Sequence, residues 1–267
     1  MKKHYLDIFS MGNLIGLIIL VFTLNSCAET NSERDYYQIK VYHLKDKVQV
    51  DQVESYLRDA YLPALHRAGI SKVGVFKLVE PDTITGHKIF VWTPFKSLLE
   101  LNEIPRILKN DEQFQSGGSD YINAPHDAPP YDRIESILLY AFSEMPNYAA
   151  FKYDTPHDMR VYELRSYQAA TEKLLDLKVE MFNEGGEVKI FQELGFNPLF
   201  FGKVISGNTM PNLMYMSTFA DKDSQADHWE AFGMHPDWQV LKKMDKYQNT
   251  VSKIEKFLLY PTNYSDI

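Results

Sequence analysis

Two short stretches of this 267-residue chain place ionisable side chains at every second position of a strand-like run. In Val161-Tyr162-Glu163-Leu164-Arg165-Ser166-Tyr167, Glu163 and Arg165 share a face with Val161, and in Val41-Tyr42-His43-Leu44-Lys45, His43 and Lys45 share a face with Val41, because side chains alternate along a strand. If that face lines an enclosed interior, the four groups must pair, hydrogen-bond, or meet water or a ligand, since an unpaired buried charge costs several kcal/mol. Glu163 and His43 are then candidates for an acid/base pair facing a small molecule, with Arg165 and Lys45 as ligand-binding neighbours. A structural ion pair between Glu163 and Arg165 would satisfy the same residues with no function at all. Tyr215 and Ser217, matched by Val91 and Thr93, extend the same lining, although strand tyrosines usually pack.

Other chemistry is sparse. His228 beside Trp229, and His235 before Pro236-Asp237-Trp238, would bind a metal or haem only with a third ligand that no spacing supplies. The simpler reading makes His235 a turn residue and the two tryptophans packing anchors. No metal site and no tightly bound cofactor are expected, with haem left open. There is no phosphate loop, nucleophile elbow, dinucleotide fingerprint or zincin helix, so nucleotide-dependent chemistry is unsupported.

The first residues read as an address. Lys2 and Lys3 precede an apolar run at 14–24, and Leu24-Asn25-Ser26-Cys27 ends it, the pattern of an export signal. The run is shorter than the roughly 20 residues a membrane span needs. Its last four residues resemble a bacterial lipobox, which implies lipidation of Cys27 and a place in the cell envelope, held to the membrane by the lipid alone. Cys27 is the only cysteine, so the folded part has no disulfide, thiol nucleophile or thiolate metal site. Loss of Lys2, Lys3 and Asp7 would change the formal charge from −8 to −9, a balance that repels nucleic acid.

The elements that must position the candidate residues come twice. Val41-Tyr42-x-Leu44 matches Val161-Tyr162-x-Leu164 at an offset of 120 (161 − 41), and Ile134-Glu135 matches Ile254-Glu255 at the same offset. Between them Phe95 and Phe219 lie 124 apart and Gly69 and Gly195 lie 126 apart, a drift that loop insertions would produce; such order argues for duplication. Periodicity predicts strands at 38–44, 73–79, 89–93 and 134–142, with a helix capped by Asp51 and kinked at Pro63 and a second helical region after Ser97. The order strand, helix, strand, strand, helix, strand returns with strands at 159–167, 199–205, 213–219 and 254–260. Residues 115–131, rich in Gly and Pro, read as a long loop.

The run 161–167, Gly195 at a strand entry and Pro236-Asp237-Trp238 in the last helix resemble the NIPSNAP family. Asp132-Arg133-Ile134-Glu135-Ser136, with Ala141-Phe142 and Met145-Pro146, resembles the junction in bacterial members with two such domains. The resemblance implies an α+β fold, two tandem ferredoxin-like repeats forming a structure of the dimeric α+β barrel type, their sheets facing across an interior. The expected division is a signal peptide at 1–26, a tether at 27–35, a divergent first repeat at 36–145, a linker at 146–158 and the NIPSNAP domain at 159–262. The expected role is binding a small molecule in that interior, with turnover and a homo-oligomer left open. A non-catalytic interaction module is the alternative.

Overall fold

Eight antiparallel strands form one ladder that closes on itself in the computed structural model, which describes residues 33–79, 87–149 and 155–267. The predicted export segment, Cys27 and part of the linker lie outside these residues. The first half runs β1 (Tyr36–Leu44), α1 (Lys47–Tyr56), a π-helical turn (Leu57–Tyr61), α2 (Leu62–Arg67), β2 (Gly74–Leu78), β3 (His87–Phe95), α3 (Leu98–Lys109), α4 (Glu112–Gly117), α5 (Ser119–Ile122) and β4 (Arg133–Ala141). The second runs β5 (Val161–Gln168), α6 (Glu172–Phe182), α7 (Glu187–Glu193), β6 (Pro198–Ser206), β7 (Asn212–Phe219), α8 (Lys222–Met234), α9 (Pro236–Leu241) and β8 (Lys253–Pro261).

Local chemistry accounts for most of these boundaries. Ser97 caps α3 through the Glu100 N–H and Thr171 caps α6 through the Leu174 N–H, while Pro236 opens α9 where its missing N–H is not needed. The first helix starts earlier than expected, because Asp46 rather than Asp51 accepts from the Gln49 N–H. At Pro63 the helix is interrupted just upstream by a π turn, in which the Leu62 N–H bonds the Leu57 carbonyl five residues back. Part of the predicted loop at 115–131 is also helical, as the end of α4 and as α5.

The sheet order is β4-β1-β3-β2 for the first half and β8-β5-β7-β6 for the second, each the order of a ferredoxin-like unit, joined edge to edge by β2–β8 and β6–β4. The seams are short. Phe76–Leu78 meets Leu259–Pro261 at one and Leu138–Ala141 meets Gly202–Ser206 at the other, whereas β1 and β3 pair from Tyr36 to Leu44. Tyr37, Ile39 and Val41 of β1 and Tyr162 and Leu164 of β5 point into the barrel against Trp92, Phe200 and Leu259. The opposite face of each half lies under its own helices: Tyr42 and Leu44 meet Leu57 and Leu65 in one, and Tyr167 and Tyr215 meet Phe182 and Phe191 in the other.

These faces correct the alignment of the first strands. Ile39 pairs with Trp92 and Ile137, as Leu164 pairs with Met216 and Phe257. The offset is therefore 124 for β3 and β7 and 120 for β4 and β8, as expected, but 125 (164 − 39) for β1 and β5. Tyr42 and Tyr162, matched at 120, face opposite sides of the sheet. An odd change of register exchanges the two faces of a strand. His43 is accordingly equivalent to Gln168, and Glu163 to Gln38.

Candidate functional site

Glu163 and Arg165 do not look into the barrel. Their face of β5 lies under the helices of the second half, where both side chains are almost fully buried. Arg165 Nε and a terminal nitrogen approach Glu163 Oε1 at 2.9 and 2.8 Å. Glu163 Oε2 accepts from Gln225 Nε2 at 3.0 Å and from the Trp229 indole at 2.6 Å, both on α8, and the guanidinium lies 3.4 Å over the Trp229 ring. Tyr167 completes the chain, its oxygen accepting from Arg165 at 3.3 Å and from Tyr215 at 3.0 Å. Burial pushes the Tyr215 phenol well above its usual range, so it remains a donor. Ser217 shares this face, its hydroxyl buried with no partner among the described residues. The first half keeps a weaker version, in which Lys40, equivalent to Arg165, donates to the Tyr61 hydroxyl at 3.0 Å.

The barrel interior is filled at one end and hollow at the other. Tyr37, Trp92 and Phe200 stack across the filled end. At the other end a cavity of about 360 Å³ opens between the C-terminal ends of β1 and β5. Val41, Phe90, Ile137, Met214 and Phe257 form its apolar wall, and three strands of each half contribute the inward residues in matched rows. The outer rows are Lys88–His43–Arg133 and Asn212–Gln168–Lys253, followed by Phe90–Val41–Glu135 and Met214–Ser166–Glu255. His43 Nε2 lies 2.6 Å from Glu135 Oε1, and Gln168 donates to Glu255 at 3.0 Å. Ser166 and Asn212 bond each other at 2.9 Å. Apolar walls with a few placed polar groups, within the range of about 300–1,000 Å³, characterise small-molecule pockets.

The NIPSNAP family model matches residues 162–266. Residues 162–266 are thus similar to the NIPSNAP domain. Among solved structures the whole barrel is similar to a presumed monooxygenase of Lactobacillus acidophilus NCFM, at 10% identity and a TM-score of 0.53 over 86% of this chain and 94% of that one. A presumed monooxygenase of Fusobacterium nucleatum gives 9% identity and a TM-score of 0.51 over 86% and 93%. At such identities the likeness is one of fold, the α+β barrel. No curated protein sequence matches the chain.

The second half thus keeps Glu163, Arg165, Tyr215 and Ser217 together, as expected, but on the helix side of its sheet rather than in the interior. The expected pairing of Glu163 with His43 is overturned, since the two lie on opposite sheet faces in different halves. Lys45 lies beyond the end of β1 and is exposed, its N–H bonded to the Gln49 side chain. His43 does reach the cavity mouth, through Glu135. The two histidines whose type suits a metal or haem are engaged separately. His228 Nδ1 donates to the Ser224 carbonyl at 2.5 Å, and His235 Nε2 lies 3.5 Å from Glu193. No group of three or more His, Cys, Asp or Glu among the described residues could hold a metal ion. Glu135 and Lys88 were not singled out by residue type, although Ile134-Glu135 and its copy Ile254-Glu255 carried the repeat, and Trp229, expected only as a packing anchor, also donates to Glu163.

Proposed function

We propose that this chain is a lipid-anchored protein of the bacterial cell envelope that holds a small molecule in the mouth of its barrel. The observation that carries the ligand half of this reading is the hollow end itself. A barrel filled from end to end would favour the interaction module, whereas here the apolar packing stops at Ile137, Met214 and Phe257 and leaves about 360 Å³ edged with polar groups. Filling that space is the direct test. Val41→Trp places an indole in the cavity, so a small-molecule adduct seen by native mass spectrometry on the gently purified protein should disappear in the variant. An adduct that survives the substitution overturns the reading. Turnover of the bound molecule is a second reading, favoured by the 2.6 Å contact of His43 with Glu135, an imidazole and a carboxylate suited to moving a proton at the cavity edge.

The envelope half of the reading rests on Lys2, Lys3, the apolar run at 14–24 and Leu24-Asn25-Ser26-Cys27. It is consistent with a folded part in which, among the described residues, no helix is long and apolar enough to cross a membrane. Cys27→Ser is expected to release the protein from the detergent phase and to remove a lipid from its mass. Unchanged partitioning, with a mass differing only by the substitution, would sink the anchor.

A further inference from the structure

The mouth carries the same carboxylate twice, but only one copy is fully occupied. Glu135 and Glu255 sit at equivalent positions, 120 apart, and each is held by the equivalent residue of the adjacent central strand, His43 in the first half and Gln168 in the second. Glu255 has both oxygens engaged, Oε2 by Gln168 and Oε1 by Lys253 at 2.8 Å. Glu135 has Oε1 on His43, while Oε2 has no hydrogen-bond partner among the described residues. The cations differ in the same way. Lys88 lines the cavity and has no carboxylate within 4.0 Å among the described residues, its ammonium lying 5.8 Å from the centre of the Phe257 ring. Its counterpart, Asn212, is tied to Ser166 and Thr209.

The first half therefore presents an open carboxylate oxygen and an open ammonium on the two strands that flank β1. Neighbouring strands lie about 4.8 Å apart, so the two backbones are separated by roughly 10 Å, a gap that a lysine and a glutamate side chain can narrow to the width of one small head group. A ligand with only a positive charge would meet Lys88 unfavourably, and one with only a negative charge would meet Glu135 unfavourably. We infer that the mouth binds a zwitterionic head joined to an apolar body, the chemistry of a free apolar α-amino acid. Its ammonium donates to Glu135 Oε2, its carboxylate accepts from Lys88 Nζ, and its side chain lies against Phe90, Met214 and Phe257. His43 is a positioning residue that fixes one oxygen of Glu135. A quaternary ammonium head does not fit, since it has no N–H to give the carboxylate. This inference rests on the reading of the mouth as a small-molecule site.

Calorimetric titration of the full-length chain at neutral pH with three probes tests it: L-phenylalanine, L-phenylalaninamide, which keeps only the positive charge, and N-acetyl-L-phenylalanine, which keeps only the negative one. Phenylalanine should bind at least about tenfold more tightly than either capped form, as expected for losing a charge-assisted hydrogen bond. Glu135→Gln should lower phenylalanine affinity to that of the acetylated probe and Lys88→Met to that of the amide, while Lys203→Met, an exposed change on β6 outside the cavity, leaves it unchanged. Both open groups are partly solvent-accessible, so unchanged melting midpoints separate lost binding from lost folding, and the three-probe comparison needs no variant. Equal binding of all three probes, or none by phenylalanine, overturns the zwitterion assignment; if Val41→Trp still abolishes the co-purified adduct, only that assignment falls. An adduct persisting in Val41→Trp overturns both readings.

Discussion

Lys178→Met should destabilise the barrel by about 3–5 kcal/mol at neutral pH, the usual result of removing one partner of a buried ion pair, and by much less in mild acid. Lys178 on α6 and Glu187 on α7 meet at 2.7 Å with both side chains almost fully buried, and the ammonium also lies 4.6 Å over the Phe182 ring. Burial raises the Glu187 carboxyl above its ordinary 4.5, and Lys178 pulls it partly back. A carboxyl raised in the folded state keeps a proton that the unfolded chain has released, so its contribution falls as pH rises from the unfolded value through the folded one. Without Lys178 the folded value climbs further and the window widens upward. Urea melts of both proteins near pH 4.5 and pH 7.5 should therefore show a small deficit at the first and the full one at the second. The same deficit at both would mean that Met fits the space poorly and that the charge is not what costs.

Glu163→Gln is expected to cost a similar amount, about 3–5 kcal/mol, lowering the melting midpoint by roughly 10 °C for a domain of this size. Every partner of Glu163 is a donor: Arg165 twice, Gln225 and Trp229. An amide can accept only on its oxygen, so its NH₂ would face a buried donor and leave Arg165 without a counter-charge. Since Glu163 lies on the helix side of the sheet, ligand held at the mouth should be unaffected. Retained stability with lost ligand would show instead that this face serves binding.

How much of this was legible in the sequence depends on what each signal encodes. Element order was readable, because strand alternation, the caps at Ser97 and Thr171 and the proline at Pro236 are local features. The facing of β1 and β5 was not. Both are central strands covered on two sides; β5 is buried throughout from Val161 to Tyr167, so its alternation contains no hydrophobic-in, polar-out signal, and the alternation of β1, with Gln38 and Lys40 half-buried between Tyr37, Ile39 and Val41, had no counterpart there to be matched against. The resemblance of Val41-Tyr42-x-Leu44 to Val161-Tyr162-x-Leu164 then suggested a register five residues away from the one the ladders set. That error moved Glu163 into the interior on paper and hid Glu135, which does line it. Lys178 and Glu187 were invisible for another reason: they are nine residues apart across the Gly185-Gly186 break, and only the turn there, with Gly186 at a φ of 85°, brings them together.

The two short seams acquire a meaning from the fact that one chain supplies both halves. Two separate subunits paired through Phe76–Leu78 against Leu259–Pro261 and through β4 against β6, and packed across the interior through Tyr37, Trp92, Phe200 and Leu259, would have to offset the loss of translational freedom each time they met. Covalent linkage replaces that encounter by an intramolecular one, at an effective concentration that short connections place in the millimolar range. Each seam is thereby freed from having to hold two independent molecules together. The inward faces of the two halves can also diverge in sequence, as His43 and Gln168 have, with no partner chain obliged to follow.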